Sequence, residues 1–96
     1  MLSGKSKRYL RSLAMQMDPV MQMGKGGAQQ AFVAELDVAL KAHELAKVKG
    51  LNNSGEDAKT LGPALAAATG SELVQVIGCN MVFFRPSPDK PKIELP

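Results

Sequence analysis

Residues 18–49 read DPVMQMGKGGAQQAFVAELDVALKAHELAKVK, and their punctuation separates a strand, a helix and a second strand. Asp18-Pro19 ends whatever helix precedes it, because proline disfavours the helical conformation of the residue before it. Val20 to Met23 reads as a short strand closed by Gly24-Lys25-Gly26-Gly27. From about Ala28 to Ala42, Phe32, Val33, Leu36, Ala39 and Leu40 recur at helical spacing on one buried face. Leu45 to Leu51 then alternates Ala46, Val48 and Gly50 with Lys47 and Lys49, the period-two pattern of a half-buried strand whose two lysines point the same way. Strand, glycine turn and helix form the first half of a βαβ unit.

Upstream, Ser3 to about Met17 reads as an amphipathic helix. Leu10, Leu13, Ala14 and Met17 share one face, and Lys7, Arg8 and Arg11 cluster on another. Downstream, Ser54 with Glu56 and Asp57 behind it resembles a helix start, and that helix is predicted to run to about Thr69, where Gly70 stops it. Gly62-Pro63 falls in its middle, and an interior proline costs ~3 kcal/mol, so a kink or two short helices are expected. Leu73 to Ile77 and Met81 to Arg85 are β-rich runs joined by the three residues Gly78-Cys79-Asn80, an antiparallel hairpin. Pro86, Pro88, Pro91 and Pro96 leave a tail over 86–96 that adds no regular element and is expected to lie extended along the surface. The predicted fold is α/β (α+β), in the order α-β-α-β-α-β-β, with a four-stranded mixed sheet and helices packed against it.

Ninety-six residues fit a single domain over 1–96 in which every element is expected to share one core. A composition 45% hydrophobic and 22% charged is that of a folded chain. The lone Cys79 excludes an internal disulfide, no Cys/His cluster has zinc spacing, and a reducing, cytoplasmic setting without cofactor or metal is expected. The longest apolar run, Ala64 to Ala68, falls far short of the ~20 residues that cross a bilayer. Met1 to Met17 is basic, contains serine and lacks acids in the manner of a transit peptide, but its helical apolar period favours a folded element. Net charge is +3, yet residues 1–25 hold five basic groups and one acid (+4) whereas 26–96 hold seven and eight (−1). Exposed charges beyond ~10 Å screen one another, so this local excess attracts a polyanion more strongly than the total implies.

Gly24-Lys25-Gly26-Gly27 stands between a strand and a helix, where glycine permits close backbone approach and helix-start amides with a lysine make an anion site. A phosphate loop of the Walker type is excluded by spacing and by the missing hydroxyl after the lysine. A dinucleotide fingerprint lacks its further helical glycine and downstream acid. A G-x-x-G loop of the kind that clamps a nucleic-acid backbone fits, and on these four residues alone a plain turn remains open beside it.

The chain resembles the CRM domain, named for chloroplast RNA splicing and ribosome maturation, in its stand-alone bacterial YhbY-like form. The resemblance is carried by 10–14 (LRSLA), 19–27 (PVMQMGKGG), 43–49 (HELAKVK), 68–78 (ATGSELVQVIG), Arg85-Pro86 and 92–96 (KIELP). It implies a fold similar to the C-terminal domain of translation initiation factor three, with Gly24 to Gly27 touching RNA backbone. It also implies association with ribosomal RNA in large-subunit precursors. Lys5, Lys7, Arg8, Arg11, Lys47 and Lys49 are the accompanying candidate RNA contacts, and the basic helix face is expected to adjoin the glycine loop. A monomer that is no enzyme is expected. His43 and Cys79 have no catalytic constellation around them, and Met15, Met17, Met21 and Met23 are read mainly as core. With only Tyr9, Phe32, Phe83 and Phe84 as aromatics, recognition is expected to rest on backbone charge and RNA shape more than on stacking. Competing readings are a splicing or translation accessory factor, an adaptor docking on ribosomal proteins, and an enzyme holding a phosphorylated substrate at the loop.

Overall fold

Ser3 opens the first helix with an extended backbone and a hydroxyl oxygen that accepts the Ser6 amide at 3.1 Å, satisfying one donor that a helix start leaves free. The computed structural model describes residues 3–22, 30–50, 58–77, 79–87, 91 and 93. In chain order the elements are α1 (Gly4–Met15), β1 (Met21–Gln22), α2 (Gln30–His43), β2 (Leu45–Lys49), α3 (Ala58–Thr69), β3 (Glu72–Ile77) and β4 (Asn80–Phe84), the succession the sequence predicts. Ser54 and its acidic neighbours lie outside the described residues.

β1 pairs parallel with β2, Gln22 beside Lys49. β2 and β3 each pair antiparallel with β4, giving the order β1-β2-β4-β3. β2 and β3 thus run the same way, and the crossovers through α2 and α3 step in the same direction across the sheet. A shared right-handed sense places both helices on one face. α1 covers the other.

The expected single core is therefore two clusters separated by the sheet. On one side Leu36, Leu40, Leu61 and Leu65 of α2 and α3 meet Ala46, Val48, Met81 and Phe83. On the other, Leu10 and Ala14 of α1 meet Leu45, Val74, Val82 and Phe84. The central strand β4 alternates between them, which is why all of Met81 to Phe84 is buried.

One local expectation is corrected, the three-residue hairpin connection, and two gain detail. α3 is one helix with Pro63 inside it, because burial of Leu61, Leu65 and Ala66 outweighs one lost hydrogen bond. Gly62 assists: a Cβ there would lie 2.8 Å from Leu73 Cδ2, so its absence lets α3 settle close on β3. The hairpin connection is two residues, since Asn80 already pairs with Ile77. The proline-rich tail adds no regular element among its described residues, but Ile93 packs against the α1-side cluster.

The caps differ in kind. α3 ends on Gly70 at φ 68°, with the Ser71 amide returning to the Ala66 carbonyl at 3.0 Å, a Schellman closure. α2 ends with its left-handed residue at Glu44, φ 65°, whose amide reaches the Leu40 carbonyl at 2.8 Å. A non-glycine residue persists in that conformation only where its surroundings over-determine it. Here the side chain supplies the reason. Glu44 is buried, and its carboxylate accepts the Ser87 amide at 2.5 Å and the Ile93 amide at 2.8 Å, tying down the C-terminal segment.

Candidate nucleic-acid interface

The apolar stripe of α1 turns its basic residues outward. Lys5, Arg8 and Arg11 are exposed and Lys7 is half-buried. At 3.6 residues per turn, Lys7, Arg8 and Arg11 fall within one arc of about 100°. Two of the four cations, Lys5 and Lys7, occupy the first turn, where the helix dipole is positive and disfavours them, and that turn holds no acid. Among the described residues none of the four has an ion pair or a side-chain hydrogen bond. Such an arrangement works against helix stability and is locally uncompensated among the described residues.

Lys49 is the other free, exposed cation among the described residues. Its register beside Gln22 puts it where the chain leaves β1 toward the glycine loop. Gly24, Lys25, Gly26 and Gly27 themselves lie outside the described residues, and with them the expected junction between loop and basic helix. α1 lies across the sheet: Ala14 and Met15 border β3 at Gln75 and Ile77, whereas Leu13, Gln16 and Met17 border Val20, Leu45 and Ile93. Helical phase sets Lys7 and Arg11 on the Met15 flank, above the β3 edge.

Lys47 points to the same face as Lys49 but has a structural task. Its ammonium donates to the carbonyls of Ala14 and Met17, both at 3.3 Å, closing the C-terminal end of α1. It positions the basic helix, and α1 and β2 carry candidates joined through this contact.

Arg85 is equally committed. Nη1 donates to Asp37 Oδ1 and to the Thr69 carbonyl, each at 2.6 Å, and Nη2 to the Asp37 carbonyl at 3.1 Å. β4 is thereby locked to α2 and to the end of α3. The hydrogen bond from Arg85 holds the Asp37 carboxyl below its usual range against partial desolvation, helped by the charges of Arg85 and Lys41. The sequence offered no spacing signal for this lock or for the Glu44 clamp, because their partners lie far apart along the chain.

His43 is exposed at the end of α2, and Cys79 is half-buried in the hairpin turn, its carbonyl accepting the Gly50 amide at 2.7 Å. Phe83 and Phe84 are buried and Phe32 is half-buried, which leaves Tyr9, on α1, as the exposed aromatic side chain among the described residues. No described cluster of three His, Cys, Asp or Glu side chains could hold a metal, and no described helix is long and apolar enough to cross a membrane.

Known proteins match this architecture closely. "Probable RNA-binding protein YqeI" of Bacillus subtilis (strain 168) is 43% identical over the whole of both chains. A Haemophilus influenzae protein named "RNA-binding protein" is 38% identical over 99% of this chain and 95% of its own. The solution structure of a hypothetical protein from Staphylococcus aureus superposes with a TM-score of 0.84 at 50% identity, each chain fully covered. This is a family of RNA-binding proteins, not of enzymes. Residues 2–85 match the CRS1 / YhbY (CRM) domain, and the chain belongs to that family.

Proposed function

We propose that this protein binds RNA through α1 and the glycine loop, and that its target is ribosomal RNA in precursors of the large ribosomal subunit, whose assembly it assists. The observation that carries the binding is the set of four cations on the outer side of α1 that are uncompensated among the described residues. The names of the relatives support the same ligand class. Phosphates replace the missing acids, and release of their counterions drives association. Lys49 extends the positive surface toward Gly24-Lys25-Gly26-Gly27, where Lys25 supplies a further charge and the glycines allow backbone amides to approach the RNA backbone. Lys47 acts indirectly, by holding α1.

Salt-dependent titration with ribosomal RNA fragments tests the interface. Lys25→Ala should weaken binding and flatten the slope of log affinity against log salt by about 0.7, the contribution of one contact to a single strand. Gly26→Asp, which adds bulk and negative charge, should lose more affinity at unchanged melting temperature. Arg8→Ala/Arg11→Ala should flatten the slope by about twice the single value. Folded variants that all bind like the parent would refute the proposed surface. Co-sedimentation with large-subunit precursors before and after nuclease treatment tests the target, since retention after complete RNA removal would point to a protein partner.

A further inference from the structure

We propose that the hollow between the C-terminal end of α1 and the β3-β4 hairpin seats one unpaired base of the RNA whose phosphates lie along the α1 cations. The inference rests on the RNA-binding reading above and assigns it a second, base-recognising element.

The hollow is lined by Met15, Gln75, Ile77, Asn80 and Val82, with Ala14 and the Lys47 stem behind. Its volume of about 240 Å³ falls below the roughly 300–1,000 Å³ typical of whole small-molecule sites, which suits a single ring system. Met15 and Ile77 are 80% and 61% exposed and provide apolar walls for the faces of a base. Gln75 and Asn80 provide amides whose donors and acceptors match a base edge. Neither amide has a side-chain hydrogen bond among the described residues.

A defect in β3 places Gln75 there. Leu73 pairs with Phe83 but Gln75 pairs with Val82, so Val74 is an extra residue on the β3 side. Strict alternation would send Gln75 to the same face as Leu73, among the apolar side chains under α2 and α3. The bulge instead puts Val74 and Gln75 both on the α1 side and returns Val76 to the other. Bulges characteristically re-aim a side chain in this way. Charge complementarity points to the occupant: Arg11 lies one helical turn before Met15 and Lys7 one turn before Arg11, so cations for phosphate adjoin an apolar, amide-lined recess for a base.

The test uses twelve-nucleotide oligo(A) and oligo(U), counterparts of equal charge with abasic central positions, and ribosomal RNA fragments. The parent should bind the abasic strands about tenfold more weakly. Gln75→Leu and Asn80→Ala should each lose about fivefold on intact strands, the size of one hydrogen bond, with little loss on abasic ones. Arg11→Ala should weaken both alike. 4-Thiouridine-substituted RNA should crosslink to Met15 or to residues 75–80, a readout that needs no variant to fold. Equal affinity of the parent for intact and abasic strands, or crosslinks confined elsewhere, would overturn the base site and leave the RNA-binding function standing. Failure of the parent to bind any of these RNAs would overturn both.

Discussion

Replacement of Glu44 by alanine should release the C-terminal segment and lower stability by about 3 kcal/mol, the low end of two charge-assisted hydrogen bonds at ~1.5–3 kcal/mol each. The two bonds are those to the amides of Ser87 and Ile93. The low end applies because released amides near the surface regain water, while Ile93 leaves its place against the α1-side cluster. Alanine keeps the unfavourable left-handed backbone that Glu44 adopts at φ 65°. Glycine does not, so Glu44→Gly should recover about 1 kcal/mol of the loss. For a domain of this length 1 kcal/mol corresponds to roughly 4–8 °C. Glu44→Ala should therefore melt more than ~10 °C below the parent, with Glu44→Gly between them. Thermal melts followed by circular dichroism give the order, and amide exchange at Ser87 and Ile93 shows whether the segment is freed. An alanine variant within ~2 °C of the parent, or a glycine variant no more stable than alanine, would refute the clamp.

Asp37, with its carboxyl lowered mainly by the Arg85 hydrogen bond, should contribute stability that is fully present above its unfolded value of 3.8. That contribution is lost as pH falls through the lower folded value. Urea melts from pH 7 to pH 2 should show the parent losing more stability below pH 4 than Asp37→Asn, and parallel curves would exclude the lock as a pH-dependent element. Lys47→Met should lower stability by about 1 kcal/mol through the lost cap on α1 and weaken RNA binding without the full ~0.7 loss of salt slope expected for a phosphate contact. A full loss would make Lys47 a direct ligand. Gly62→Ala should gain helix propensity of up to about 1 kcal/mol that is offset by crowding against Leu73. The gain should consequently be larger in a Leu73→Ala background, and an additive double-mutant cycle would show that the close approach carries no energy.

The elements themselves were legible in the chain because their signals are local. Leu36 and Leu40 are one turn apart and both buried, Ala46 and Val48 are two residues apart and share a face, and Gly70 marks the end of α3 by its own backbone preference. The basic face of α1 was legible for the same reason: Lys7, Arg8 and Arg11 cluster by helical spacing alone. Helical and strand periods also carry the α-β-α-β-α-β-β order, and short connections leave few ways to arrange it.

Interactions between residues distant in sequence lie beyond such patterns. Lys47 reads as a candidate RNA contact identical in kind to Lys49, yet its ammonium bonds to carbonyls of residues 14 and 17. Arg85 reads as the end of a strand but locks onto Asp37 and Thr69. Glu44 occupies a cap where glycine would be the local choice, because its carboxylate holds residues 87 and 93. Pro63 stays inside α3 because packing against the sheet exceeds the local penalty, and one extra residue at Val74 turns Gln75 toward α1. A charged side chain has the same intrinsic chemistry in each of these positions, and whether its partner is RNA or the protein's own backbone depends on which groups the fold brings within ~3 Å of it.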